Sequence, residues 1–307
     1  MIEGQPPSNR PFLKNIFFSP DEPRLRAGWR LILQTLLLIV LSLCAGIPVG
    51  LLLLIPDLDL PDGAFLALNQ VVSVFAITLS VYLARRFLDK RSFSSLGLKL
   101  DRWTAIDIFA GIAITFFMMG FIYLIELGAG WLTFDGFAWE TDDLLTVLGG
   151  TLGMFAVFIL VGWNEELLSR GYHLQTIASG LNLFWGVVIS SAIFGLLHLG
   201  NPNATWISAA GIFFAGLFLA YGYLTTKQLW LPIGLHIGWN FFEGVVFGFP
   251  VSGLDIYRLL RITVDGPELW TGGAFGPEAG LVVLPGLLLG ATLIYAYTRF
   301  MRKPDIE

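Results

Sequence analysis

Leu144–Gly162 is a run of nineteen residues without a charge, and it leads straight into Trp163-Asn164-Glu165-Glu166-Leu167-Leu168-Ser169-Arg170. At 1.5 Å per helical residue the run alone nearly matches the ~30 Å hydrocarbon core of a bilayer. Two carboxylates and a guanidinium therefore sit where a lipid-facing helix should be. An acidic side chain in the middle of such a helix costs roughly 2.5–3.5 kcal/mol on insertion scales, and adjacent acids also repel. On a helix, Glu166 and Arg170 are four apart and can pair, whereas Glu165 points about 100° away. One carboxylate is thereby neutralised and the other left free. A structural ion pair has no need of that asymmetry, but a reactive site does.

The solvent follows from composition. Hydrophobic residues make up 55% of the chain and charged residues 13%, against roughly 25% charged in a soluble domain, and the mean hydropathy is +0.74. The expected fold class is all-α, a polytopic integral membrane protein with about eight transmembrane helices. The spans are read at about 29–55, 64–83, 105–127, 144 to past Arg170, 183–199, 206–225, 232–249 and 280–299. They divide the chain into a polar tail (1–28), three N-terminal helices (29–143), a polar-bearing group (144–249), and a Gly/Pro-rich loop with the last helix (250–307). No cleavable signal peptide is expected in the tail. Placing both termini in the cytoplasm puts sixteen of the eighteen Lys and Arg on that side, all but Arg258 and Arg261. The positive-inside rule selects this orientation. It makes 250–279 external and, by expectation, not catalytic. The setting is a multi-pass plasma membrane, or inner membrane in a prokaryote. Lipid is the implied partner, and nucleic acid is not. The single cysteine, Cys44, rules out an intrachain disulfide and reads as a small buried hydrophobe.

The remaining chemistry comes in i, i+4 pairs on apolar helices: Phe194 with His198, and His236 with Asn240. Residues four apart share a helix face. One histidine on an apolar helix is ordinarily a satisfied interior residue. Polar groups on three separate helices are different, because burial without partners is costly. Ser179–Asn182 is the natural turn between the fourth and fifth helices. Glu165 lies about fifteen residues before it and His198 about seventeen after, so a hairpin brings them to one depth, ~22–25 Å from the turn. This requires the fourth helix to run on to about Ala178 and the fifth to stop inside the bilayer. Asn69 and Gln70 read as interhelical glue, His173 as solvated or interfacial, and Glu243 as hydrogen-bonded inside or near an interface.

Glu165-Glu166-x-x-x-Arg170-Gly171, Phe194-x-x-x-His198 and His236-x-x-x-Asn240 together resemble the three motifs of the CAAX-protease and bacteriocin-processing family. These are intramembrane endopeptidases related to the type II CAAX prenyl endopeptidase. The resemblance covers about 144–248 and extends faintly to Leu96-Gly97-Leu98 and to Leu25–Arg30. Ser169 departs from it, since relatives commonly carry an aromatic residue there. The resemblance implies hydrolysis of a peptide bond in a membrane-associated peptide partner, such as a lipid-modified or leader peptide, with Glu165, His198, His236 and Asn240 catalytic and Glu166, Arg170 and Phe194 supporting. Glu165 is expected as general base, with burial raising its pKa into a useful range. His198 would help orient the water, and His236 and Asn240 would serve the oxyanion. The family is described both as glutamate-type and as a metalloprotease. The cofactor expectation is therefore none or one divalent ion, zinc included, on Glu165, His198 and His236. Two other classes compete: a non-catalytic binding or immunity protein of this fold, and a proton-coupled transporter. The absence of an internal repeat counts against the transporter.

Overall fold

The computed structural model describes residues 16–20, 22–55, 58 and 62–302. Most of the polar tail, residues 1–15 and 21, lies outside these residues. Eight long helices run through the described chain: α1 (Ala27–Leu52), α2 (Asp62–Leu83), α3 (Trp103–Gly128), α4 (Leu144–Gly180), α5 (Leu183–Leu197), α6 (Trp206–Thr226), α7 (Trp230–Asn240) and α8 (Val283–Ala296). Seven of them are long and apolar enough to cross a membrane. The exception is α7. Even with its π-helical extension Phe241–Val246 it is short, and every residue from Leu231 to Asn240 is buried. The architecture is all-α and polytopic, as the composition demanded. One feature was not foreseen, an antiparallel ribbon of β1 (Leu132–Phe137) and β2 (Leu260–Val264), with its register broken between Phe134 and Gly136.

The burial pattern is inverted relative to a soluble protein. On α1 the buried residues are Arg30 and Gln34, while Leu36, Leu43, Ile47 and Leu51 are exposed. An apolar outer face with polar residues turned inward fits lipid as the solvent. Cys44 belongs to that outer face and is exposed, not buried as expected. The polar residues that face inward are paired. Asp89 is fully buried among Arg30, Arg85 and Arg24, and Gln34 donates to Ser80 at 3.2 Å. At the same end Asp107 joins α3 to α8 through Arg302 at 3.0 Å and Tyr297 at 2.6 Å.

Glycines set the central crossing. Gly234 and Gly238 lie one turn apart on α7. A Cβ at Gly234 would overlap the backbone of Ile108 on α3, and one at Gly238 would overlap the Thr115 hydroxyl. Close backbone approach through small residues is how membrane helices associate without a hydrophobic force between them. His236 sits between these glycines in sequence and about 200° around the helix from Gly234. Packing the glycine face on α3 therefore turns His236 to the opposite side. We expect Gly238→Val to cost about 3 kcal/mol or more through overpacking against backbone, read as lost thermal stability in detergent. Gly63→Ala, where an added Cβ meets nothing within 4 Å, should be near neutral.

Candidate active site

The fourth helix is unbroken from Leu144 to Gly180, so the continuation required by the hairpin reading is present. Its N-terminus is capped by Asp143, which accepts from the backbone of Leu145 and Thr146 at 2.9 and 3.0 Å. Just past the glutamates the helix widens into π turns over Leu167–His173, all seven residues of which are buried. Trp163 donates to Thr78 at 2.9 Å and Asn164 to Gln70 at 3.3 Å, which ties the glutamate turn to α2. Gln70 is thus the interhelical contact expected of it. Asn69 is not, since its amide returns to the Phe65 carbonyl of its own helix. The turn into α5 falls where expected, with Asn182 capping the helix through the Trp185 N–H at 3.0 Å. α5 gives way at His198 to a single 3-10 turn.

These constraints bring three helices to one point. Oε2 of Glu165 lies 3.6 Å from Nε2 of His198 and 3.7 Å from Nε2 of His236. Glu165 is one-third exposed, whereas Glu166 is sealed. Glu166 Oε1 takes both Arg170 Nη1 and His236 Nδ1 at 2.8 Å. The anticipated division therefore holds, one carboxylate neutralised and one open to the cavity. Arg170 also donates to the Gly216 carbonyl at 3.1 Å and lies 4.2 Å over the Phe194 ring. That ring packs at 4.8 Å against His198 and edge-on to His236. Nδ1 of His198 is 2.8 Å from the Phe194 carbonyl, so it must donate, leaving Nε2 with its lone pair toward Glu165. Asn240 is buried and lines the same cavity, of about 160 Å³.

Three expectations need correction. His173 is buried, 8% exposed, at the end of a π stretch whose residues are all buried. Glu243 is fully buried, and neither of its oxygens has a hydrogen-bond partner among the described residues. The Trp239 indole faces both Glu243 and Glu278, and its hydrogen bond goes to Glu278 at 2.9 Å. The third concerns the loop after α7, which is part of the site. Ser252 and Glu278 line the cavity with Glu165 and the histidines. Asn201, three residues past His198, latches the loop by donating to the Ser252 carbonyl at 3.1 Å. Burial pushes the Glu278 carboxyl above the ordinary carboxylate range, opposed by its hydrogen bonds to Ser252. Its signal in the sequence was faint: it is the one charge between Glu268 and Arg299.

The metal candidates Glu165, His198 and His236 do converge. Even so, no group of three His, Cys, Asp or Glu among the described residues is arranged to hold an ion. Residues 147–242 match the model of the family described as type II CAAX prenyl endopeptidase Rce1-like. Over this stretch the chain is similar to the Rce1-like family. The matched region takes in all eight residues named by the motifs, from Glu165 to Asn240, and it stops short of Glu243 and the loop. The chain is also 29% identical over 188 residues to the "Putative membrane peptidase YdiL" of Bacillus subtilis (strain 168), covering 59% of this chain and 72% of that protein. The similarity to the Rce1-like family thus falls on the helices that carry the site.

Proposed function

We propose that the chain is an intramembrane endopeptidase that cleaves a membrane-associated peptide with a water activated by Glu165 and His198. The observation that carries the reading is the orphaned oxygen of Glu165. Oε2 is shielded from solvent, has no hydrogen-bond partner among the described residues, and faces two imidazole nitrogens at 3.6 and 3.7 Å. Those gaps are too long for direct hydrogen bonds and suit a molecule lying between the groups. A water there gives one proton to Glu165 while His198 Nε2 accepts its other hydrogen, and the oxygen lone pair attacks the scissile carbonyl carbon. The Asn240 amide and the Nε2–H of His236 donate to the oxyanion. Glu166, 2.8 Å from Nδ1, stabilises the charge His236 carries in that role. The proton held by Glu165 then passes to the leaving amine as the carbon–nitrogen bond breaks.

Reconstituted in bilayers with a panel of membrane-anchored peptides, the wild-type chain is expected to release fragments. His198→Ala should release none above background while keeping the wild-type melting temperature. Equal release by both proteins would sink the assignment. Metal analysis of the same preparation, with cleavage followed in a chelator, decides whether a divalent ion shares the site.

A further inference from the structure

The cavity around Glu165 holds two carboxylates, and the only groups in its walls that can offset them are the two imidazoles. Its lining includes Glu165, Glu278 and two histidines but no Lys or Arg. The other nearby carboxylate, Glu166, already has Arg170. Glu278 is 4% exposed and is held by three neutral donors. Oε1 accepts from Trp239 Nε1 at 2.9 Å, and Oε2 accepts from the Ser252 N–H at 2.9 Å and hydroxyl at 2.6 Å. A carboxylate offers about four acceptor positions, so one remains. Among the described residues no Lys or Arg pairs with it. Behind it lie Glu243 and Glu126, both fully buried without hydrogen-bond partners.

The anchoring is built rather than incidental. Trp239 immediately precedes Asn240, so one indole fixes Glu278 beside the proposed oxyanion donor. On the other side, the Glu278 backbone lies so close to Gly211 of α6 that a Cβ there would overlap it. Glu278 is thus held between α6, at its backbone, and α7, at its carboxylate, in the wall of the cavity that the histidines also line. A buried carboxylate with a free acceptor position, and no Lys or Arg beside it among the described residues, favours a cation brought by a ligand. The apolar walls, among them Phe158, Phe218 and Leu254, accept the aliphatic stem of such a side chain.

We propose that Glu278 is a specificity residue, which reads a cationic side chain, Lys or Arg, within two residues of the scissile bond. This rests on the endopeptidase reading above. The test is a set of membrane-anchored peptides carrying Lys, norleucine or Glu at each of those positions, offered to the reconstituted full chain. At one position the wild type should favour Lys over norleucine by about tenfold or more in kcat/KM, and should disfavour Glu further. In Glu278→Gln that ratio should fall toward one. Glu278→Asp, which keeps the charge, should retain part of it and serves if the Gln variant does not fold. A wild type indifferent to Lys at every position overturns the proposal, as does a Glu278→Gln protein with the wild-type ratio. A wild type that cleaves no peptide of any charge overturns instead the reading beneath it.

Discussion

Glu165→Gln is expected to lower kcat by about 10³-fold with little change in KM, because general-base catalysis contributes about 10²–10⁴. The amide keeps the size of the side chain and its place beside the histidines, but it cannot accept the proton of the attacking water. Since Glu165 is one-third exposed to the cavity and makes no hydrogen bond through Oε2, the fold should not register the change. A melting temperature within a degree or two of wild type is part of the expected result. Equal losses in kcat and kcat/KM would mark an interaction made only in the transition state. Combining Glu165→Gln with His198→Ala should add little to either alone, since both act on one water, and groups acting as a unit are strongly non-additive. Near-wild-type turnover by Glu165→Gln would remove the base from the mechanism.

The part of the site legible in the sequence was the part written in helical periodicity. Glu166 to Arg170, Phe194 to His198 and His236 to Asn240 are spacings of four within apolar runs. An apolar run leaves a polar residue few alternatives to facing inward. The shared depth of Glu165 and His198 was legible because α4 and α5 run on as continuous helices on both sides of a capped turn, so residue counts convert to approximate distances. What was missed depends on irregular backbone. His173, expected to be solvated or interfacial past Arg170, lies at the end of the π stretch after Glu166 and is buried there. The loop after α7 has no period at all. Its Glu278 reaches the cavity through the Asn201 latch, the close approach at Gly211 and the Ser252 contacts, all of them long-range. The ribbon of β1 and β2 escaped for a related reason, since its strands are more than a hundred residues apart and neither shows a long alternation. Cys44 was misplaced by a habit carried over from soluble proteins, in which small apolar residues go inside. On α1 the inside is polar and the lipid takes the rest.

Arg170→Met is expected to destabilise the protein by about 3–5 kcal/mol, the usual cost of removing one member of a buried ion pair, and to lower the melting temperature by about 10 °C. Glu166 would be left fully buried with only the His236 imidazole beside it, and the Gly216 carbonyl and Phe194 ring would each lose a partner. Arg170→Lys should recover little. A lysine cannot reproduce the planar fork that reaches Glu166 and Gly216 together while lying on a ring. The informative protein is the double variant Glu166→Gln with Arg170→Met. Removing both charges relieves the uncompensated carboxylate, so the double variant should be more stable than Arg170→Met alone by about 2 kcal/mol. Its cleavage should stay low all the same, because His236 has then lost the carboxylate that fixes Nδ1. Stability regained without activity would separate the two roles of the pair, neutralising a buried acid and orienting an imidazole. A double variant no more stable than Arg170→Met would instead assign the cost to lost packing on Phe194.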